Sequence, residues 1–277
     1  MITKAIVPVA GLGTRLGPVT GAIPKAMLPL VDAKDRIRSV VHCILAEASA
    51  AGIREVGLVV APRQKQVIEN YLAAARDAGD LPREIEYVLQ PKPKGFGDAV
   101  LRGADFAGSS DAFLLMLGDH VRVADAGSPP CAAQVIAAFE RYGGVAMVGM
   151  QDVGAEELPR VGVARGEPIA GGVYLCTDFA EKPDAAAARK RLVTPGLPEG
   201  RFLAHCGLYV FTAAIFDCLK ALKSSGGRGG ELQLADAQSM LLERHPQDYR
   251  LLKVAGRAYD TGTPGGYAEA FRRFSVV

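Results

Sequence analysis

The sequence predicts an α/β fold in three layers: a mixed, mostly parallel central sheet with helices on both faces. Short apolar runs alternate with helix-period stretches through about residue 151, the order that a parallel sheet with crossover helices requires. Several runs are apolar throughout, AFLLML at 112–117 among them, which suits strands covered on both faces. With 277 residues, 49% hydrophobic and 22% charged, the chain has a globular composition and the length to bury a substantial core.

Strands are predicted at 5–9, 55–61, 84–89, 112–117 and 144–150. Ile37, Val40, Val41, Ile44, Leu45 and Ala48 recur at helical spacing, and Gly52 stands where that helix should stop. Further helices fit 64–78, 97–107 and 131–142. From about 160 the order loosens. RVGVAR and GGVYLCT read as a strand pair around the turn-rich GEPIAGG, 202–212 as a strand and 213–222 as a helix. SSGGRGG at 224–230 reads as a flexible loop and ELQLADAQSMLLERH as another helix. One domain over 1–277 is expected, with halves 1–151 and 152–277.

The bulk numbers exclude several classes of function. Net charge is +2, from 32 basic and 30 acidic residues, with no Lys/Arg block and no Trp, so nucleic acid is not an expected partner. Cys43, Cys131, Cys176, Cys206 and Cys218 are scattered, odd in number and without a C-x-x-C pair; small core residues in a reducing compartment are expected, not a disulfide framework or a zinc site. No window approaches the roughly 18 consecutive apolar residues of a membrane span. The start lacks the parts of a secretory signal, and a cytoplasmic location is the expectation.

The stretch VPVAGLGTRLG at 7–17 raises the question of a phosphate site. A dinucleotide fingerprint needs G-x-G-x-x-G opening a helix. Here the third glycine, Gly17, is one residue late, and Pro18, Pro24 and Pro29 follow where a helix would have to run. A P-loop needs Gly-Lys-Ser/Thr, but Gly17 precedes Pro18 and Val19. What remains is a proline-stiffened loop at the end of a buried strand, with paired glycines, Arg15 and, ten residues on, Lys25. Such a loop either cradles an anion, with Arg15 and Lys25 on phosphate oxygens, or is structural with both side chains solvated.

AGLGTRL followed by AIPKAMLPLVD resembles the first motif of the sugar-1-phosphate nucleotidyltransferases, G-x-G-[ST]-R-L…P-K-x-[LM]-x-P, and AIPK-x-MLPLVD is nearest to the uridylyl branch. The resemblance continues at spaced points to the last fifteen residues. It implies a Rossmann-like nucleotidyltransferase fold, a nucleotide-binding half before a sugar-binding half, and members that are commonly oligomers of one chain. Carried over, Arg15 and Lys25 face a triphosphate, with Ala10, Gly11, Gly13 and Thr14 along the nucleotide. QPKPKGFGDAV at 90–100 resembles the base-recognition loop, placing Gln90 and Gly95 at the base edge; Asp98 stands where uridylyl relatives usually have His.

AFLLMLGDHV ends on Gly-Asp. Ligands of open α/β sheets bind beyond the carboxyl ends of strands, and a carboxylate there suits Mg²⁺ or serves as a turn or cap residue. The resemblance implies that Asp119 is a metal ligand, while His120 reads as an exposed turn residue. RVGVARG…FAEKPD resembles the sugar segment, which implies Gly162 and Glu181 on sugar hydroxyls and Lys182 on the sugar phosphate. An isolated Glu-Lys pair is otherwise a solvated surface pair, and Val161 replaces the Tyr of many relatives. Gly207 in AHCGLYVF is implied near the sugar. Glu231 and Asp236 in GGELQLADA read as helix-start acids. GRAYDTGTPGGY implies Asp260 as the second Mg²⁺ carboxylate, though sequence arithmetic cannot bring it to Asp119. The reaction implied is nucleotidyl transfer between UTP and a sugar 1-phosphate. The compact segment between Asn70 and Gln90 leans instead toward dTTP, and a catalytically silent nucleotide-sugar-binding subunit is the rival of another class.

Overall fold

In a computed structural model, describing residues 1–108, 110–225 and 230–274, the chain opens with β1 (Lys4–Pro8), a four-residue turn α1 (Val19–Ala22), the hairpin β2 (Pro29–Val31) and β3 (Ile37–Ser39), and α2 (Val40–Ala50). Then come β4 (Glu55–Val60), α3 (Pro62–Ala74), β5 (Glu84–Leu89), α4 (Phe96–Arg102), α5 (Ala104–Ala107), β6 (Ala112–Met116), β7 (His120–Ala124) and α6 (Cys131–Tyr142). The second half runs β8 (Ala146–Val153), β9 (Gly162–Ala170), β10 (Val173–Glu181), α7 (Ala185–Arg191), β11 (Phe202–Thr212) and α8 (Ala214–Ser224). It closes with α9 (Leu234–Arg244), β12 (Tyr249–Lys253), β13 (Gly256–Asp260) and α10 (Pro264–Phe274).

Nine strands form one sheet in the order β5-β4-β1-β6-β11-β8-β12-β10-β9. The run β5-β4-β1-β6 is parallel, and β11 joins it antiparallel. Strand periodicity builds the three layers. Ala5 and Val7 of β1 face one core with α2, α3 and α6, whereas Ile6 faces the other with α4, α8 and α9. Leu114 and Phe113 of β6 split the same way. A small third cluster around Phe202, Leu158 and Leu192 lies under α7. All five cysteines are unpaired and buried, as expected.

Several expectations need correction. Ile37 does not join the helical stripe; it lies in β3, 75% exposed, and α2 begins at Val40 after the Ser39 cap. The helix expected over 97–107 is broken at Gly103, whose added Cβ would stand 2.6 Å from Ile6. GEPIA is no turn but continues β9, and only Gly171 and Gly172 turn. Glu231 precedes α9 by three residues and accepts from Gln233 Nε2, while Asp236 does sit in the first turn. Residues 226–229 of the expected loop at 224–230 lie outside the described residues. No described helix is long and apolar enough to cross a membrane.

Candidate active site

The parallel strands β1, β4, β5 and β6 end on one edge of the sheet, and each is followed there by a segment with chemistry. After β1 the prolines keep residues 10–30 from forming a long helix, and the chain makes tight turns at 14–16, 19–22 and 25–27. Buried Thr20 ties the loop together, its hydroxyl donating to the carbonyls of Gly13 and Gly17 at 2.9 and 3.0 Å. Gly13 has φ +68°, and an added Cβ would meet Thr20 at 3.0 Å, so the turn needs glycine for both conformation and space. At Gly11 an added Cβ would stand 3.3 Å from Lys25 Nζ. The loop thus folds its lysine back over its own glycine backbone.

Lys25 reaches across to the end of β6, where its Nζ lies 2.5 Å from Asp119 Oδ2, both side chains about 15% exposed. His120 Nδ1 lies 2.9 Å from the other oxygen, Oδ1. Burial works against the Asp119 charge, but the Lys25 ammonium and His120 outweigh it and hold the carboxyl well below the usual range. His120 is therefore not the exposed turn residue expected: it opens β7, half-buried, and touches Asp119.

A two-stranded sheet does what sequence arithmetic could not. β7 pairs antiparallel with β13 so that His120 faces Asp260 in register. Thr261 locks the crossing by donating its N–H and its hydroxyl to the Asp119 carbonyl, at 2.7 and 2.8 Å. Ligand atoms of Asp119, His120 and Asp260 consequently all lie within 4.8 Å of one another. Arg15 stands over the same group, 4.0 Å from Asp260 and 62% exposed. At Gly262 an added Cβ would fall within 3.2 Å of Asp260, Asp119 and Arg15 together. Of the phosphate and metal residues expected, Arg15, Lys25, Asp119 and Asp260 converge beside Gly11 and Gly13. Exposed Thr14, in the turn at 14–16, makes no described side-chain hydrogen bond, and Ala10 is buried at the loop's root.

The segment after β5 carries Gln90, 6% exposed, whose Nε2 donates to the Gly95 carbonyl at 3.2 Å and to Asp98 Oδ2 at 2.9 Å. Gly95 has φ +96°, and its added Cβ would stand 2.4 Å from the Leu232 carbonyl, so the segment before α9 fixes this loop. A residue the sequence reading missed is Gln64, in the first turn of α3. Its Nε2 donates to the Gly11 carbonyl at 3.3 Å, and its buried Oε1 has no partner among the described residues.

A second cluster forms where β9 and β10 pair Gly162 with Glu181. At Gly162 an added Cβ would lie 2.9 Å from Glu181 Oε2 and 3.2 Å from His205 Nδ1. His205, also missed, stacks on Phe179 at 4.9 Å and meets Tyr209 edge-on. Burial pushes its imidazole down to about 3, so the ring is neutral at neutral pH. Lys182 carries φ +49°, a left-handed conformation uncommon for a side chain of this length. It is 57% exposed and pairs only with Glu181, at 3.6 Å, among the described residues. Gly207, φ +74°, forms a bulge in β11 with its carbonyl accepting from Leu117 N and Arg122.

A glycine-lined cationic loop facing two carboxylates at strand ends defines a class that handles phosphate esters. Residues 4–275 match the nucleotidyl transferase family, and the chain belongs to that family of enzymes. The UTP–glucose-1-phosphate uridylyltransferase of Bacillus subtilis is 32% identical over 99% of this chain and 91% of its own. UTP–glucose-1-phosphate uridylyltransferase 1 of Staphylococcus saprophyticus is 31% identical over 99% and 93%. A crystal structure of UDP-glucose pyrophosphorylase complexed with UDP-glucose superposes with a TM-score of 0.81, at 30% identity and 98% coverage of both chains.

Proposed function

We propose that the chain makes UDP-glucose and pyrophosphate from UTP and glucose 1-phosphate. The observation that carries this reading is the convergence of Lys25, Arg15, Asp119 and Asp260 on one glycine-lined loop; the names and coverage of the relatives supply the substrates. A phosphate oxygen of glucose 1-phosphate attacks the α-phosphorus of UTP in line. The bond from that phosphorus to its bridging oxygen breaks, and pyrophosphate leaves. The nucleophile is already an anion, so no strong base is needed, and catalysis rests on positioning and charge stabilisation.

Arg15 and Lys25 draw the triphosphate into the loop, while Lys182 and Glu181 orient the sugar phosphate and sugar. Lys25 leaves Asp119 for phosphate when the nucleotide arrives, which releases a carboxylate already ionised. The donor set fits a divalent cation: two carboxylates are the hard oxygen ligands that Mg²⁺ prefers. Mg²⁺ held by Asp119 and Asp260 would neutralise phosphate charge as pyrophosphate departs.

The test is pyrophosphate release with Mg²⁺ across UTP, dTTP, CTP, ATP and GTP, each with glucose 1-phosphate and galactose 1-phosphate. The highest kcat/KM is expected for UTP with glucose 1-phosphate. A preference for dTTP would replace the uridylyl reading, and no release with any pair would favour a silent binding subunit.

A further inference from the structure

We propose that Asp98 is a positioning residue that fixes which way the Gln90 amide points, and that this polarity makes the site accept uracil and reject cytosine. The inference rests on the nucleotide reading above, which puts the Gln90–Gly95 loop at the base edge. A primary amide has one acceptor and two donors, and turning it over exchanges them. Here both donors are engaged within the protein. Gln90 Nε2 serves the Gly95 carbonyl at 3.2 Å and Asp98 Oδ2 at 2.9 Å.

An ionised carboxylate and a peptide carbonyl are acceptors only, so neither tolerates the turned amide. Asp98 stays ionised because it is itself held. It is 2% exposed and sits in the first turn of α4, and Arg102, one turn on, donates to the same Oδ2 at 2.9 Å. Although burial opposes the charge, the bonds from Gln90 and Arg102 bring the Asp98 carboxyl below its ordinary pKa.

The lock leaves Gln90 Oε1 as an acceptor with no partner among the described residues, on a side chain more than nine-tenths buried. The Gly95 N–H, a donor, makes no described hydrogen bond either. Acceptor beside donor matches the N3–H and O4 of uracil or thymine. Cytosine presents the reverse at the same ring positions, a bare N3 and an amino group. It therefore sets lone pair against lone pair at Oε1 and N–H against N–H at Gly95, and unpaired or opposed groups of this kind in a buried site give strong discrimination.

Asp98→Asn removes the obligate acceptor while keeping the size, because the new amide can present either an oxygen or an NH₂ to Gln90. Arg102→Met removes the charge that holds Asp98, from a side chain one-third exposed, and serves as a second variant whose fold is checked by its melting curve. Each folded protein is titrated with UTP and with CTP by calorimetry, without turnover, and kcat/KM is measured for both nucleotides. The wild type is expected to prefer UTP. In Asp98→Asn the UTP:CTP ratio should fall by about tenfold or more while KM for the sugar phosphate stays unchanged; Arg102→Met should show the same change in smaller measure. A wild type that binds neither nucleotide overturns the nucleotide reading itself. A wild type that prefers UTP, with Asp98→Asn folded and its UTP:CTP ratio within twofold, overturns the lock alone.

Discussion

Glu47→Gln changes one heavy atom, and its effect follows from a single buried cation. Arg122 at the centre of β7 has a side chain 1% exposed. It donates to the carbonyls of Cys206 and Gly207 at 3.2 and 2.7 Å, and to Glu47 Oε2 at 3.2 Å. The other Glu47 oxygen accepts from Ala132 N at 3.1 Å, at the start of α6. A glutamine has only one acceptor for these two donors, and it leaves the guanidinium without a counter-charge. Removing one partner of a buried pair costs about 3–5 kcal/mol; retention of one hydrogen bond puts this variant near the lower figure. At about 2–4 °C per kcal/mol for a domain approaching this size, the melting temperature should fall by about 6–12 °C. Thermal and urea melts at pH 7.5, with the urea m-value unchanged, are the assay. A drop under about 2 °C would show that Arg122 does not depend on Glu47.

Gly118→Ala should both destabilise and slow the enzyme, because the new Cβ would meet the Pro8 carbonyl at 2.2 Å; overpacking of this kind costs about 1–3 kcal/mol, and parting β1 from β6 separates Lys25 from Asp119. Normal stability with normal kcat would contradict it. Asp32, held by Arg36 and Arg38, has its carboxyl brought down from 3.8 to about 2; burial opposes this, and the bonds from Arg36 and Lys34 outweigh it. A depressed carboxylate stabilises above its unfolded pKa, so about 2 kcal/mol is fully present above pH 4 and is lost as pH falls toward 2. Urea melts at pH 6 and pH 3 should show a shallower acid loss in Asp32→Asn than in the wild type; equal losses would remove Asp32 as the cause. His205→Leu should raise KM for glucose 1-phosphate by about tenfold, as loss of one polar contact to a hydroxyl does, with KM for UTP unchanged. An equal effect on both substrates would place His205 in the fold and not at the sugar.

Most of the central sheet was legible in the sequence because its inner strands are buried on both faces. β1 and β6 read as apolar runs, β11 as one interrupted by His205, and α6 matches its expected span to the residue. β7, β12, β13 and the hairpin of β2 and β3 went unread. HVRVA and GRAYD are short and half-polar, and among the described residues they pair only with each other, so their stability is tertiary and five residues are too few to announce it. The same blindness hid the site. Asp119 and Asp260 could each be named from a motif, yet their meeting depends on the β7–β13 register, and so does His120, which a turn reading had put in solvent. Gln64 and His205 carried no motif: one is a polar residue in an amphipathic helix, the other a polar residue in an apolar strand. The latter is a signal that could have been used, since a histidine inside FLAHCGLYVF must be paired, stacked or facing a cavity.

Asp260→Asn shows whether the two carboxylates act together in the chemistry. Asp260 Oδ1 accepts from Gly262 N at 2.7 Å, a bond that asparagine keeps, so the turn survives and only the charge is lost. Mg²⁺-dependent pyrophosphate release from UTP and glucose 1-phosphate should fall by about a hundredfold or more, with the melting temperature within about 2 °C of the wild type, the scatter expected of a change that leaves packing intact. A variant with kcat and Mg²⁺ dependence matching the wild type would contradict the account, because the two carboxylates that β7 and β13 bring together would then have no part in the chemistry.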